Sequence, residues 1–220
     1  MNVRKALGSW KSPRFVEKLR LAVEGSPDPR QEKMSGLKAR DILFELSVAA
    51  FFRARKIPVL IGFGRDGILR FESERLLVEC KRVRSSKAVK AAIEKAIEQI
   101  NRRLTRRKPH GGFGLIALDI SLLMNPKQLF LVPHNEIELQ HAVEETMKSF
   151  SMDNDRHLSA TNNPRMLGTL VFFKTAGFDR TNSRYLSIFK TDFKYAGEPN
   201  SYTEFLARRF HHKLLLPLSD

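Results

Sequence analysis

Residues 86 to 104, SKAVKAAIEKAIEQINRRL, carry Val89, Ala92, Ile93, Ala96, Ile97 and Ile100 on one helical face, and an apolar run flanks them on each side. The first run is LLVECK, 76 to 81; the second is FGLIALDISLL, 113 to 123. A helix of this length between two strands is a crossover, and a crossover sets its two strands parallel in one sheet. That single pattern commits the chain to an α/β architecture.

The neighbouring segments extend it. Leu37 to Arg55 has a helical period, with Leu43, Leu46 and Ala50 on one line and Ile42, Glu45, Ala49 and Phe52 on the next. Pro58 stops this helix and PVLIGFG opens a strand. GILRF and LLVECK read as a β-hairpin, with Ser73 and Glu74 expected at the turn centre. From 37 to 122 the order is therefore α-β-β-β-α-β, a mixed central sheet flanked by helices. Residues 1–34 are expected to hold a short amphipathic helix, PRFVEKLRLAVE, and a Gly/Ser/Pro linker; 35–125 form the core. Residues 126–220 form an extension packed on the same domain: a helix from Glu136 to Phe150, a polar loop from 151 to 164, a second hairpin pairing MLGTLVFFK with RYLSIFK, and a basic helix near YTEFLARRF.

Charge narrows the partners. Lys and Arg number 39 against 24 Asp and Glu, a net charge of +15. Solubility needs only about 2 to 8 charges, so the excess points to a polyanion, nucleic acid before a membrane surface. No window reaches the roughly 18 apolar residues of a membrane span. The N-terminal stretch has no secretory pattern and Cys80 is the single cysteine, so a reducing, cytoplasmic setting is expected.

The hairpin carries unusual charges. Glu79 and Lys81 lie in an apolar strand, and with the turn centred on Ser73–Glu74, Ile68 pairs with Glu79 and Asp66 lies opposite Lys81. Opposed residues share a face, so Asp66, Glu79 and Lys81 project together. A buried carboxylate pair beside a lysine is costly unless a hard cation compensates for it, and magnesium or manganese suits oxygen ligands that also bridge to phosphate.

Asp66 followed by Glu79-Cys80-Lys81 resembles the PD…(D/E)xK signature of restriction-endonuclease-like nucleases, and the element order is similar to that superfamily's αβββαβ core. The resemblance implies a metal-dependent endonuclease, a hydrolase of phosphodiester bonds with DNA favoured over RNA, acting in defence or repair. It implies Asp66 and Glu79 as metal ligands with the backbone carbonyl of Cys80, and Lys81 on the attacking water. Glu45 on the first core helix and Gln99 on the second match positions that often join this site. The signature's proline is absent, since Arg65 precedes Asp66. Family members often dimerise to cut two strands, which allows a homodimer or a larger complex. The other reading keeps the fold without catalysis, as a nucleic-acid-binding or partner-binding module.

Arg82, Arg84, Lys87 and Lys90 run into the N-terminal end of the crossover helix, where the dipole disfavours cations, so they are the expected phosphate contacts. Arg102, Arg103, Arg106, Arg107 and Lys108 end the same helix, where the dipole alone accounts for them.

Overall fold

A six-stranded mixed sheet organises the chain, with its strands in sequence order. The structure, a computed structural model, describes residues 13–23, 34–62, 65–105, 112–126, 131–159, 163–196, 198–199 and 201–216. The strands are β1 (Val59–Gly62), β2 (Arg65–Phe71), β3 (Glu74–Arg82), β4 (Phe113–Asp119), β5 (Met166–Asp179) and β6 (Arg184–Tyr195). The helices are α1 (Pro13–Val23), α2 (Met34–Ala54), α3 (Ser86–Thr105), α4 (Ser121–Met124), α5 (Glu136–Asp153), α6 (Asp155–Ser159) and α7 (Tyr202–Leu215).

The crossover logic holds: β3 and β4 are parallel, joined through α3. β5 then adds to the other side of β4, also parallel, and the hairpin partner β6 closes that edge. The expected strand 113–123 is shorter. It stops at Asp119, whose Oδ1 accepts from the Ser121 N–H at 2.9 Å and turns the chain into α4. The expected polar loop 151–164 contains the short helix α6.

Two cores lie on opposite faces, as the pleat requires. Against one face α2 and α7 pack Phe44, Phe51, Phe52 and Phe210 onto Leu76, Val78, Leu115 and Phe172. The rings meet edge to face, with Phe51 to Phe172 at 5.3 Å and Phe71 to Phe210 at 5.1 Å. Each such ring contributes about 1.5–3 kcal/mol on burial. Leu43, expected on the apolar line, is 46% exposed. Against the other face α3 and α5 pack Val89, Ile93, Ala96, Ile100, Leu139 and Val143 onto Ile116 and Leu118.

α2 ends with Lys56 in the left-handed region at φ 59°, the Ile57 N–H bonding to the Phe52 carbonyl and the Lys56 N–H to that of Arg53. The β2–β3 turn corrects the expected register. Phe71 pairs with Glu74 and Ile68 with Leu77, not with Glu79. The turn centre is Glu72–Ser73, and Glu72 takes the left-handed conformation at φ 54°. A two-residue loop so placed moves every partner by two positions, which keeps each side chain on its face but changes its level. No helix among the described residues is long and apolar enough to cross a membrane.

Candidate active site

β3 lies between β2 and β4, so both of its edges are paired, and its two faces lie under α2 and α3. Leu76, Val78 and Cys80 point to the α2 side. Glu79 and Lys81 alternate to the α3 side, where Glu79 is 2% exposed. A carboxylate so placed needs compensation, and two cations supply it. Lys81 Nζ donates to Glu79 Oε1 at 2.7 Å, and Arg103 Nη1 stands 2.7 Å from Glu79 Oε2. Lys81 also donates to Gln99 Oε1 at 2.6 Å. Gln99 and Arg103 are four residues apart, so they share one strip of α3 beside the buried stripe of Val89, Ile93, Ala96 and Ile100.

This cluster sits on the parallel part of the sheet, where Glu79 pairs with Ile116 and Lys81 with Leu118, towards the strands' carboxyl ends. Sheets of this kind commonly place ligands beyond those ends. Glu79 is buried on a central strand, so the pair is not a solvated edge-strand ion pair. Glu79 Oε2 keeps its charge contact to Arg103, yet no hydrogen-bond donor among the described residues is aimed at it.

The backbone of Asp66 lies in β2, and its side chain is outside the described residues. The pairing from Phe71↔Glu74 to Ile68↔Leu77, continued two residues, levels Asp66 with Glu79 rather than with Lys81. Glu45 is not brought to the cluster. It forms an ion pair with Lys18 of α1, on the opposite face, where it lines a cavity of about 10 Å³ together with Val78 and Cys80. Cys80 is partly buried against the phenylalanine core.

Among the expected phosphate contacts, Arg82 is withdrawn. Its side chain is 8% exposed, with Nε 3.2 Å from Asp119 Oδ2 and Nη1 3.2 Å from Asp41 Oδ1. Parity explains it: Arg82 follows Cys80 on the α2 face and lies opposite Asp119 in the register. Arg84 and Lys87 are exposed, and Lys90 is exposed 3.8 Å from Glu94. Arg103, assigned by sequence to the helix dipole, is the member that reading missed; its spacing of four from Gln99 was the available signal. Arg106, Arg107 and Lys108 lie outside the described residues.

The cluster's acceptor oxygens, the Glu79 carboxylate and Gln99 Oε1, are engaged by Lys81 and Arg103. Among the described residues no three His, Cys, Asp or Glu side chains converge, so an ion at Glu79 requires Asp66, backbone oxygens and water to complete its shell. Compared with protein-family models, with curated proteins and with solved structures, the chain finds no match.

Proposed function

We propose that the chain is a metal-dependent nuclease built on a restriction-endonuclease-like αβββαβ core, hydrolysing phosphodiester bonds. The observation that carries the reading is the position of Lys81: one ammonium, from a central strand, bonded both to the buried Glu79 and to Gln99 of the crossover helix. A buried carboxylate and ammonium are costly to cover, and metal-assisted hydrolysis uses such a pair, the carboxylate to hold an ion and the ammonium to orient water.

In this reading Asp66, Glu79 and the Cys80 carbonyl hold magnesium or manganese, which supplies charge compensation on the phosphate. Lys81 orients the attacking water, and Gln99 fixes the Lys81 rotamer. Glu45, held by Lys18 on the other face, has no part. Arg84, Lys87 and Lys90 contact the backbone without regard to sequence, which suits the excess of positive charge.

A second reading is favoured by one observation. Arg103 already neutralises Glu79, and a divalent ion there meets two resident cations. A chain that keeps this pair permanently binds nucleic acid but cuts nothing. Incubating the purified chain with supercoiled plasmid and with single-stranded RNA, in magnesium, manganese or chelator, separates the two. Nuclease action predicts cutting that needs metal and vanishes in Asp66→Asn and Lys81→Ala while binding persists. Cutting that survives both substitutions removes this site from the reaction, and binding without any cutting supports the second reading.

A further inference from the structure

We infer that the outer face of α7, with the β2–β3 turn, is a binding groove for single-stranded nucleic acid, separate from the Glu79 cluster. A cleft of about 400 Å³ lies there, lined by Phe205, Arg208, Arg209, His212 and Lys213 on the helix and by Glu72 at the turn. Its volume falls in the range of ligand clefts, about 300–1,000 Å³.

The inner face of α7 explains itself: Leu206, Ala207, Phe210 and Leu214 are buried in the phenylalanine core. The outer face does not. His212 and Lys213 in the last turn are favoured by the helix dipole, but Phe205 is 53% exposed. Tyr202, although its hydroxyl donates to Glu74 Oε1 at 3.0 Å and its ring lies 5.9 Å from that of Phe113, is still 55% exposed. Their rings lie 6.5 Å apart and 30° from parallel, an open two-ring platform. The Arg209 guanidinium stands 5.5 Å from the Phe205 ring, and that of Arg208 stands 5.7 Å from the Tyr195 ring. Arg208 and Arg209 are steadied by Glu204 and Glu72, each at 2.7 Å, which holds their planes beside the platform.

Flat rings flanked by guanidinium groups and a lysine are what an unpaired base and its phosphate need: the ring takes the base face and the cations take the phosphate. A duplex hides its base faces, so the platform selects a single strand over it. From Glu74, at the turn, to Lys81 the strand spans roughly 23 Å, so the groove anchors a strand well away from the cluster. The inference stands whether or not Glu79 holds a metal.

The test is fluorescence anisotropy of a labelled 20-mer single strand and of the matching duplex, with the full chain in chelator, where no cutting interferes. Phe205→Ala is expected to weaken single-strand binding about tenfold, with an unchanged unfolding midpoint and unchanged duplex binding. Phe205→Trp keeps the platform and is expected to retain affinity. Lys213→Glu is expected to weaken single-strand binding, while Lys148→Glu on the exposed face of α5 is not. The inference is overturned if Phe205→Ala binds like the unaltered chain, if the duplex binds as tightly as the strand, or if polyglutamate competes as well as the oligonucleotide. Equal losses from Lys148→Glu and Lys213→Glu overturn it too, by reducing the groove to diffuse charge.

Discussion

Arg103 holds Glu79 by one carboxylate oxygen while Lys81 holds the other, each at 2.7 Å, so a single buried anion separates two cations from different elements. Removing the anion leaves those cations facing one another in a covered site. Glu79→Ala is therefore expected to cost about 2–4 kcal/mol, somewhat below the full penalty for a broken buried pair, because Lys81 and Arg103 keep 17% and 24% side-chain exposure. Urea unfolding measures it. In a double-mutant cycle with Arg103→Ala the two losses are expected to couple by about 0.5–3 kcal/mol, and strict additivity would refute the pairing.

Gln99 contributes an acceptor to Lys81 at 2.6 Å and so fixes where the ammonium points. Under the nuclease reading, Gln99→Leu lowers the cleavage rate about tenfold with little change in nucleic-acid affinity, while Lys81→Ala lowers it by roughly 10²–10⁴. Single-turnover cleavage with and without the substitutions distinguishes the roles. A Gln99→Leu chain that cuts at the full rate ends the positioning argument.

Gly168 sits where β5 leaves its register with β4: Gly114 faces Met166, and Leu115 faces Gly168. Its φ of 151° lies where side chains are strained, and a Cβ there overlaps the Lys194 carbonyl oxygen of β6. Neither the carbonyl nor the strand can move without breaking the β5–β6 ladder. Gly168→Ala is expected to lose about 3 kcal/mol in denaturant unfolding, and a loss under ~1 kcal/mol would mean the bulge relaxes freely.

What the sequence conveyed depended on whether local pattern was enough. The crossover helix and its two strands are set by 3.6 and 2 periodicities, and Val89, Ile93, Ala96 and Ile100 are buried as that pattern requires. The turn at FESER has no Gly or Asn to mark its centre, so its placement was free by one residue, and that freedom moved Asp66 from the level of Lys81 to that of Glu79. Which face Glu45 serves is decided by how α2 docks, a tertiary fact that leaves no trace in the spacing of α2 itself. Arg103 was hidden for a different reason: the dipole already accounted for a basic helix end, so nothing marked one arginine among several. That β5 joins β4 in parallel is set by the crossover through α4, α5 and α6 that separates them in sequence, not by any motif in the hairpin.

His211 gives a pH dependence with a definite sign. Its Nδ1 lies 2.6 Å from the Tyr195 hydroxyl, and its ring packs 5.6 Å from that of Phe193. Burial lowers the imidazole pKa below its ordinary value, opposed in part by the Asp192 carboxylate. Burial also raises the phenol of Tyr195, which therefore keeps its proton throughout. In the unfolded chain the histidine protonates near pH 6.5; in the folded chain it waits for a lower pH. Between those values the unfolded state binds more protons, so stability rises with pH. The contribution is complete above about pH 6.5 and is lost as the pH falls towards the folded value. Unfolding midpoints across this window are expected to fall with acid in the unaltered chain and to fall less steeply in His211→Phe, which keeps the ring contacts without the titration. Identical slopes in the two proteins would show that His211 titrates in the fold as it does in water.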